Sequence, residues 1–292
     1  MFSIIIPLYN KADYVAETLR SVLNQTYNYY EVIVVNDSST DNSLEIVSSF
    51  HDKRIHIYTK KNEGVSAARN YGIMHAKHDY IAFLDADDIW DIDYLECQKK
   101  MIDKYPNAGI YSIAFYMIKY GKKVFCNILP NKERDFLIDD YFKQSVVNGL
   151  SICWTSSLCL RKDIIKHMPM FRVGIKRGED LDLWLRVALE YDIAYLNQAK
   201  VFYRTGMLDS LSVDYSQKGE FPYCEWLNYK SKSPYYKKYV ALVMYIHAKN
   251  AFKYHDYRTC LKELAHIRTI CWSYRFAKCL FLRICSYMLL KK

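Results

Sequence analysis

Through the first hundred residues, short apolar runs alternate with stretches whose apolar positions recur at helical spacing. The runs 2–6, 31–35, 55–58 and 80–84 read as strands, and 12–23, 42–50, 65–76 and 92–105 read as helices. That rhythm predicts βαβ units and a parallel sheet, because each crossover helix returns the chain to begin the next strand in the same direction. The strands are continuous apolar runs, such as Ile4-Ile5-Ile6 and Val32-Ile33-Val34-Val35, as required when both faces of a sheet are covered. Between 108 and 160 the order is less regular, with strands at 109–116 and 157–160 bracketing a helix near 139–147. A helix over 181–190 and a strand over 193–203 close the α/β part. From about 234 onward the pattern is purely helical, over 235–252, 257–270 and 273–290.

The polar residues of this pattern pile up where the strands end. In an open parallel sheet, ligands bind beyond the carboxyl ends of the strands, where loops and helix N-termini converge. Strand one runs into Pro7-Leu8-Tyr9-Asn10, strand two into Asn36-Asp37-Ser38-Ser39, strand three into 60–64, and strand four into Asp85-Ala86-Asp87-Asp88. One end of the sheet therefore gathers several carboxylates beside an aromatic ring and Arg69. Carboxylates that close repel unless a cation lies between them, and hard oxygen ligands select Mg²⁺ or Mn²⁺. A metal ion with a diphosphate accounts for this set most simply.

Composition places these elements in a folded globular protein: of 292 residues, 51% are hydrophobic and 25% charged, with 9 Gly and 6 Pro. The net charge of +9 is unevenly spread. Residues 228–292 carry 14 Lys+Arg against 2 acids, which leaves −3 for residues 1–227. A nucleic-acid-binding body is excluded on that balance, and the basic tail is expected to meet something anionic. The 9 cysteines form no CxxC pair and are odd in number, which points to a reducing compartment. The chain opens directly on a strand pattern, so no secretory signal is expected. The longest apolar stretch, 276–290, is interrupted by Lys278 and Arg283 and is too short to span a bilayer. A cytoplasmic protein is expected, either free or peripheral on the inner face of the cell membrane. On a helical wheel Arg275, Lys278, Arg283 and Ser286 share one arc, away from Phe276, Leu280, Phe281, Ile284 and Leu290. That fits an interfacial helix with snorkelling basic residues or a helix packed on its own domain.

Read together, Ser3-Ile4-Ile5-Ile6-Pro7-Leu8-Tyr9-Asn10, Val34-Val35-Asn36-Asp37-Ser38-Ser39-Thr40-Asp41, Asn62-Glu63-Gly64 with Ala68-Arg69-Asn70, Phe83-Leu84-Asp85-Ala86-Asp87-Asp88, and Gly178-Glu179-Asp180 with Trp184 resemble family 2 glycosyltransferases of the GT-A fold. The resemblance covers about residues 2–204. It implies an α/β GT-A fold, Rossmann-like, with a mostly parallel sheet flanked by helices and a C-terminal all-helical extension. The expected division is a catalytic domain over 1–215, with a nucleotide-binding half at 1–105 and an acceptor-binding half at 106–215, followed by a basic helical tail at 216–292. No Gln-x-x-Arg-Trp occurs, and in similar enzymes that sequence marks processive synthases, so a single-addition transferase is implied.

The resemblance also implies roles. Pro7 and Tyr9 would flank the nucleobase, with Asn10 beside them, and Asp37 would accept from the imino N–H of uracil. Local physics also allows Asp37 as a turn residue before a helix capped by Asp41 or Asn42, with Glu45 completing a capping box. Arg69 would fork onto phosphate or order Asp37 or Asp85, unless it is a surface arginine. Asp85 would reach the ribose and Asp87 the metal, Mn²⁺ or Mg²⁺, with Asp88 behind them or serving as an N-cap. Asp180 would be the general base that deprotonates the acceptor hydroxyl during in-line attack, which inverts the anomeric carbon; local physics makes it equally an N-cap. Glu179 and Trp184 would support the acceptor, although Trp184 at that spacing also suits a core. In the segment after Tyr203-Arg204, with Ser210 and Ser212, a histidine is frequent in the family, whereas Met207 and Leu208 stand here. The expected reaction moves a sugar from a UDP-sugar to a glycan or lipid-linked acceptor, in bacterial surface polysaccharide synthesis. Two alternatives share these residues. One is a catalytically inactive nucleotide-sugar-binding or scaffold protein. The other is a haloacid-dehalogenase-like phosphatase, which would place the 81–87 run on its first strand and Thr or Val where Asp88 stands.

Overall fold

The computed structural model describes residues 1–119, 121–126, 134–149, 151–175, 178–205, 223–270 and 276–290. Its first part alternates as the apolar pattern demands: β1 (Phe2–Leu8), α1 (Ala12–Leu23), β2 (Tyr30–Asn36), α2 (Ser43–Ser48), β3 (Ile55–Thr59), α3 (Val65–His75) and β4 (Tyr80–Phe83). There follow β5 (Ile89–Trp90), α4 (Tyr94–Lys104), β6 (Ile110–Lys119), β7 (Lys122–Cys126), β8 (Asp135–Leu137), α5 (Tyr141–Asn148), β9 (Leu158–Arg161), α6 (Glu179–Glu190) and β10 (Ile193–Thr205). The remaining helices are α7 (Tyr223–Asn228), α8 (Tyr236–Lys253), α9 (Tyr257–Ile270) and α10 (Phe276–Leu290).

The strands form a sheet in the order β3-β2-β1-β4-β9-β6-β10-β5, with β7 paired to β6 and β8 to β10. In the first half β3, β2, β1 and β4 are mutually parallel, with Ile4 opposite Val32 and Ala82. The second half is mixed, because β9 inserts antiparallel between β4 and β6. β10 then runs parallel to β6 for most of its length. Every residue of β2 is buried, and Ile4, Ile5, Ile6 and Phe83 are wholly so, which is why these strands read as unbroken apolar runs. Helix α3 lies so close to β1 that a Cβ on Gly72 would sit 2.6 Å from Cγ2 of Ile5, so only glycine fits there. That close contact fixes where Arg69, one turn earlier, is carried.

The chain divides into two compact units, one of Met1–Asp139 with Cys153–Val213 and one of Asp140–Ile152 with Asp214–Lys292. Helix α5 thus belongs with the C-terminal helices. In that second unit Tyr141, Phe142, Tyr236 and Tyr239 form an aromatic cluster with ring centroids about 5 Å apart, in the edge-on and tilted geometry such rings prefer. Asp140 caps α5 by accepting from the Lys143 N–H (3.0 Å) and also accepts from the Ser233 hydroxyl (2.6 Å).

Candidate active site

Strand β2 delivers Asp37 to the end of the sheet, and the Asp37 N–H donates to the Leu8 carbonyl (2.8 Å), keeping it beside the end of β1. Its carboxylate is almost fully buried and heavily used. Oδ1 accepts from Lys60 Nζ (2.9 Å) and the Glu63 N–H (3.1 Å), and Oδ2 from the Gly64 N–H (2.8 Å). Asp37 therefore clasps the loop that leads into α3, where Gly64 takes a φ of 88°. A carboxylate offers about four acceptor positions, so three internal donors leave room for one more. Across from it, Asn10 sits at φ 49° and ties the two strand ends together: its Oδ1 accepts from the Thr40 N–H (2.8 Å) and its Nδ2 donates to Thr40 Oγ1 (3.1 Å). Pro7 stays in β1 opposite Val35, while Tyr9 is 46% exposed.

The acidic turn after β4 is gripped from several sides. Thr18 of α1 places its hydroxyl 3.0 Å from the Ala86 carbonyl and 2.8 Å from that of Asp88. The Asp85 N–H donates to Ser156 Oγ (3.1 Å). Arg204 of β10 donates from its backbone to Asp88 Oδ1 (3.0 Å) and from Nη1 to the Asp87 carbonyl (2.7 Å), and its other end pairs with Glu17. Asp87 meets Lys11 Nζ at 2.8 Å, yet burial first and Asp85 second hold its pKa above the ordinary range. Asp88 is wholly buried, and burial, then Asp87 and Asp85, push it well above that range. Among the described residues Asp88 Oδ2 has no hydrogen-bond partner.

Arg69 links this turn to the start of α6. It is 4% exposed, with Nη2 donating to Asp85 Oδ1 and Nη1 to Glu179 Oε1, both at 2.8 Å, and its guanidinium lies over the Phe171 ring at 5.2 Å. Burial opposes its charge, but the Asp85 and Glu179 carboxylates outweigh that and raise its pKa. Beside Glu179, Asp180 accepts from Thr155 Oγ1 (3.2 Å) on Oδ2 and from the Leu181 N–H (2.7 Å) on Oδ1. Burial, then Glu179, push Asp180 up to about 6, against the pull of Arg69. A carboxylate so placed is ionised at neutral pH while retaining unusual basicity, which suits proton abstraction. The Tyr203 hydroxyl is raised by burial and then by Asp88, Asp85, Asp87 and Asp180, which makes it a common neighbour of the acids from both motifs.

The donor set can be tested against a metal. Among the described residues, no three His, Cys, Asp or Glu side chains form a group able to hold a metal ion. Mg²⁺ is commonly bound through one or two carboxylates, with waters and substrate phosphates completing the shell. Asp85 is engaged by Arg69 and Asp88 is wholly buried, so Asp87 is the carboxylate that would contribute to a cation arriving with a diphosphate. Lys11 supplies a positive charge to Asp87 in this arrangement.

A family model for glycosyl transferase family 2 matches residues 3–166. The chain belongs to glycosyl transferase family 2. Relatives include the putative teichuronic acid biosynthesis glycosyltransferase TuaG of Bacillus subtilis, 30% identical over 70% of this chain and 79% of TuaG. Another is the glycosyltransferase GlyA of Streptococcus pneumoniae, 42% identical over 69% of this chain and 30% of GlyA. An uncharacterized glycosyltransferase of Rickettsia felis is 34% identical over 67% of this chain, and that match spans only 31% of the relative. Among solved structures, S. aureus TarS 1-349 in complex with UDP-GlcNAc superposes with a TM-score of 0.74 at 21% identity, over 91% of this chain and 80% of that one. The α/β GT-A fold with C-terminal helices is shared between them.

Family 2 membership removes the phosphatase reading, whose motif belongs on a first strand, whereas Asp85 follows β4. The family match ends at residue 166, before Glu179-Asp180, yet the Arg69 bridge joins that pair to Asp85. Three locally plausible alternatives are corrected. Arg69 is not a surface residue. Asp88 caps no helix, since β5 follows it and the residue before α4 is Asp93. Asp180 is not an N-cap, because Gly178 holds that position and Asp180 lies within the first turn of α6. The capping box at α2 is also absent: Asn42 makes no side-chain cap, and Asp41 accepts from the Ser43 N–H instead (3.0 Å). Trp184 is not a sugar platform but a core residue, wholly buried, with its ring 6.0 Å from Phe83 and 5.7 Å from Phe171. It backs the ring on which Arg69 rests. Met207, Leu208, Ser210 and Ser212 lie outside the described residues. Lys60 opens the 60–64 run expected at the end of strand three, whereas Lys11, Thr155 and Ser156 enter the site without having been anticipated. The one signal for the last two was a run of small hydroxyl residues, 155–157, just before a strand.

Proposed function

We propose that the chain transfers a sugar from a UDP-sugar to a hydroxyl of a glycan or lipid-linked acceptor, with inversion, in bacterial surface polysaccharide synthesis. The observation that carries this reading is the Arg69 bridge, which brings the Asp85–Asp88 turn and the Glu179-Asp180 pair into one site through an Arg69–Glu179 contact that spans 110 residues of sequence. Tyr9 and Pro7 offer the base a face, and the remaining acceptor position of Asp37 takes the uracil imino N–H. Asp85 faces the ribose, and Asp87 would hold Mn²⁺ or Mg²⁺. When bound, such an ion neutralises charge developing on the leaving diphosphate. Asp180, oriented by Thr155, takes the proton from the acceptor oxygen as that oxygen attacks the anomeric carbon in line, and a single displacement inverts that carbon. Glu179 stays paired with Arg69, so the two adjacent acids have separate tasks.

Support also comes from the relatives named glycosyltransferases, TuaG among them, and from a structural neighbour solved with UDP-GlcNAc. The test offers a panel of nucleotide sugars with lipid-linked acceptors and reads products by mass spectrometry. A product from a UDP-sugar that disappears in Asp180→Asn supports the reading. Nucleotide-sugar binding by calorimetry with no product from any donor would leave a binding protein. Tighter binding of GDP than UDP would overturn the uridine assignment.

A further inference from the structure

We propose that α10 lies in the interface of an anionic phospholipid membrane, with its outer apolar face among the lipid chains. This does not depend on the reaction proposed above. Leu280, Phe281, Ile284 and Met288 are 45%, 65%, 51% and 61% exposed. At about 100° per residue these four fall within an arc of about 100°, so they form one continuous stripe. The opposite side of the helix is the packed one: Cys279 and Ser286 are buried, and the Ser286 hydroxyl donates to Cys260 Sγ of α9 (3.4 Å). Cys279 and Ser286 thus face inward, while Leu280, Phe281, Ile284 and Met288 face outward, where a helix that closes a soluble domain would place polar residues. Of the two wheel readings, this takes the interfacial one, with Ser286 on the packed side.

Charge selects the occupant. On α8 and α9, Lys249, Lys253, Arg258 and Lys262 are exposed, while Glu263 is buried against His247 and Asp256 is half-buried with its carboxylate on the Thr259 N–H. The 14 Lys+Arg and 2 acids of residues 228–292 would make two copies of this surface repel, whereas anionic headgroups attract it. A continuous apolar stripe along one helix face suits fluid lipid chains. Among the described residues no helix is long and apolar enough to cross a membrane, so α10 lies along the surface.

Flotation of the full chain with vesicles of phosphatidylcholine alone, or with phosphatidylglycerol added, tests this. Binding is expected to need the anionic lipid, to weaken as salt rises, and to fall about tenfold or more in Phe281→Asp/Ile284→Asp. Both positions are exposed, and an unchanged melting temperature and unchanged UDP affinity would show that this variant is folded. Phe281→Trp keeps the face apolar and should show a blue-shifted emission on binding vesicles. Absence of binding, binding indifferent to the double substitution, or a water-like Trp emission on vesicles would overturn the proposal. So would a dimer, seen by sedimentation without lipid, that the double substitution dissociates.

Discussion

In the first unit Arg69 is 4% exposed and held between two carboxylates from different parts of the chain, with Asp37, Asp85, Asp87, Asp88 and Asp180 gathered near the same sheet end. The second unit does the opposite, displaying lysines, arginines and an apolar helix face to the outside, while its interior holds an aromatic cluster, aliphatic side chains and the His247–Glu263 pair (3.2 Å). Buried charge is costly unless paired, and a fold that keeps several uncomfortable carboxylates together keeps them for chemistry. Outward charge and outward apolar surface cost the fold little and serve encounters. The difference teaches where substitutions should act: on turnover and pH dependence in the first unit, on location in the second.

The largest effect that would sharpen this contrast is expected from Asp180→Asn. Loss of a general base lowers turnover by roughly 10²- to 10⁴-fold, and UDP affinity should stay within about twofold because the nucleotide contacts proposed above lie elsewhere. Single-turnover rates and calorimetry on the same preparation check both. A variant that kept its rate would break the contrast at its centre. Thr155→Val should act in the same direction but more weakly, since it removes a donor to Asp180 and leaves the carboxylate.

Arg69→Met comes next. Removing one member of a buried ion-pair network costs about 3–5 kcal/mol, which thermal unfolding reads. It should also move the pH profile in a definite direction. As the proposed general base, Asp180 would have to be ionised to act, so wild-type kcat/KM is expected to rise with pH through about 6 and then level off. Arg69 pulls that pKa down, so in Arg69→Met the rise should fall at higher pH. A profile that stays in place would mean the arginine is structural only.

The parallel half of the sheet could be read from Ile4-Ile5-Ile6 and Val32-Ile33-Val34-Val35 because a strand buried on both faces must be apolar throughout, and the ends of those runs located Asp37 and Asp85 directly. The second half could not. β5 has two residues and β7 is mostly exposed, so neither carries an apolar signature, and the insertion of β9 between β4 and β6 is a non-local pairing with no local pattern. The site follows the same division. Its acids stood at strand ends, but the Arg69–Glu179 contact spans 110 residues, and Thr155 reaches Asp180 from a three-residue turn with no period to read. What looked like caps at Asp88 and Asp180 misled because short acidic residues near a helix start carry the same local signal whether they cap it or not.

A smaller effect concerns stability against pH. The folded-state pKa of Asp180, about 6, lies above its ordinary value of 3.8, so the native protein binds that proton more tightly than the unfolded chain. The stability this contributes is complete below the unfolded value and is lost as pH rises through about 6. Asparagine at this position escapes the loss. At pH 8 the Asp180→Asn protein should therefore be more stable by up to about 3 kcal/mol, read as a higher melting temperature, with the advantage gone near pH 4. An active-site carboxylate that lowers stability while raising turnover is the trade expected of a functional group; an equal or lower melting temperature at pH 8 would count against the raised pKa.

The smallest effect on function is expected at Trp184. Its ring is wholly buried against Phe83 and Phe171, which also touch each other, and its indole N–H has no partner among the described residues, so phenylalanine would forfeit packing without orphaning a hydrogen bond. Large-to-small changes in a core leave a cavity, and this one should cost about 1–2 kcal/mol, milder than truncation to alanine. Acceptor KM should move less than about twofold, because a ring with no exposed edge cannot stack on a sugar. Turnover could still shift slightly, since Phe171 carries Arg69 on its other contact and a looser Phe171 would loosen the bridge. Measuring KM and kcat separately divides these cases: a small loss in kcat at constant KM fits apolar backing beneath a polar site, whereas a large rise in acceptor KM would place the indole in the binding surface and overturn its assignment to the core.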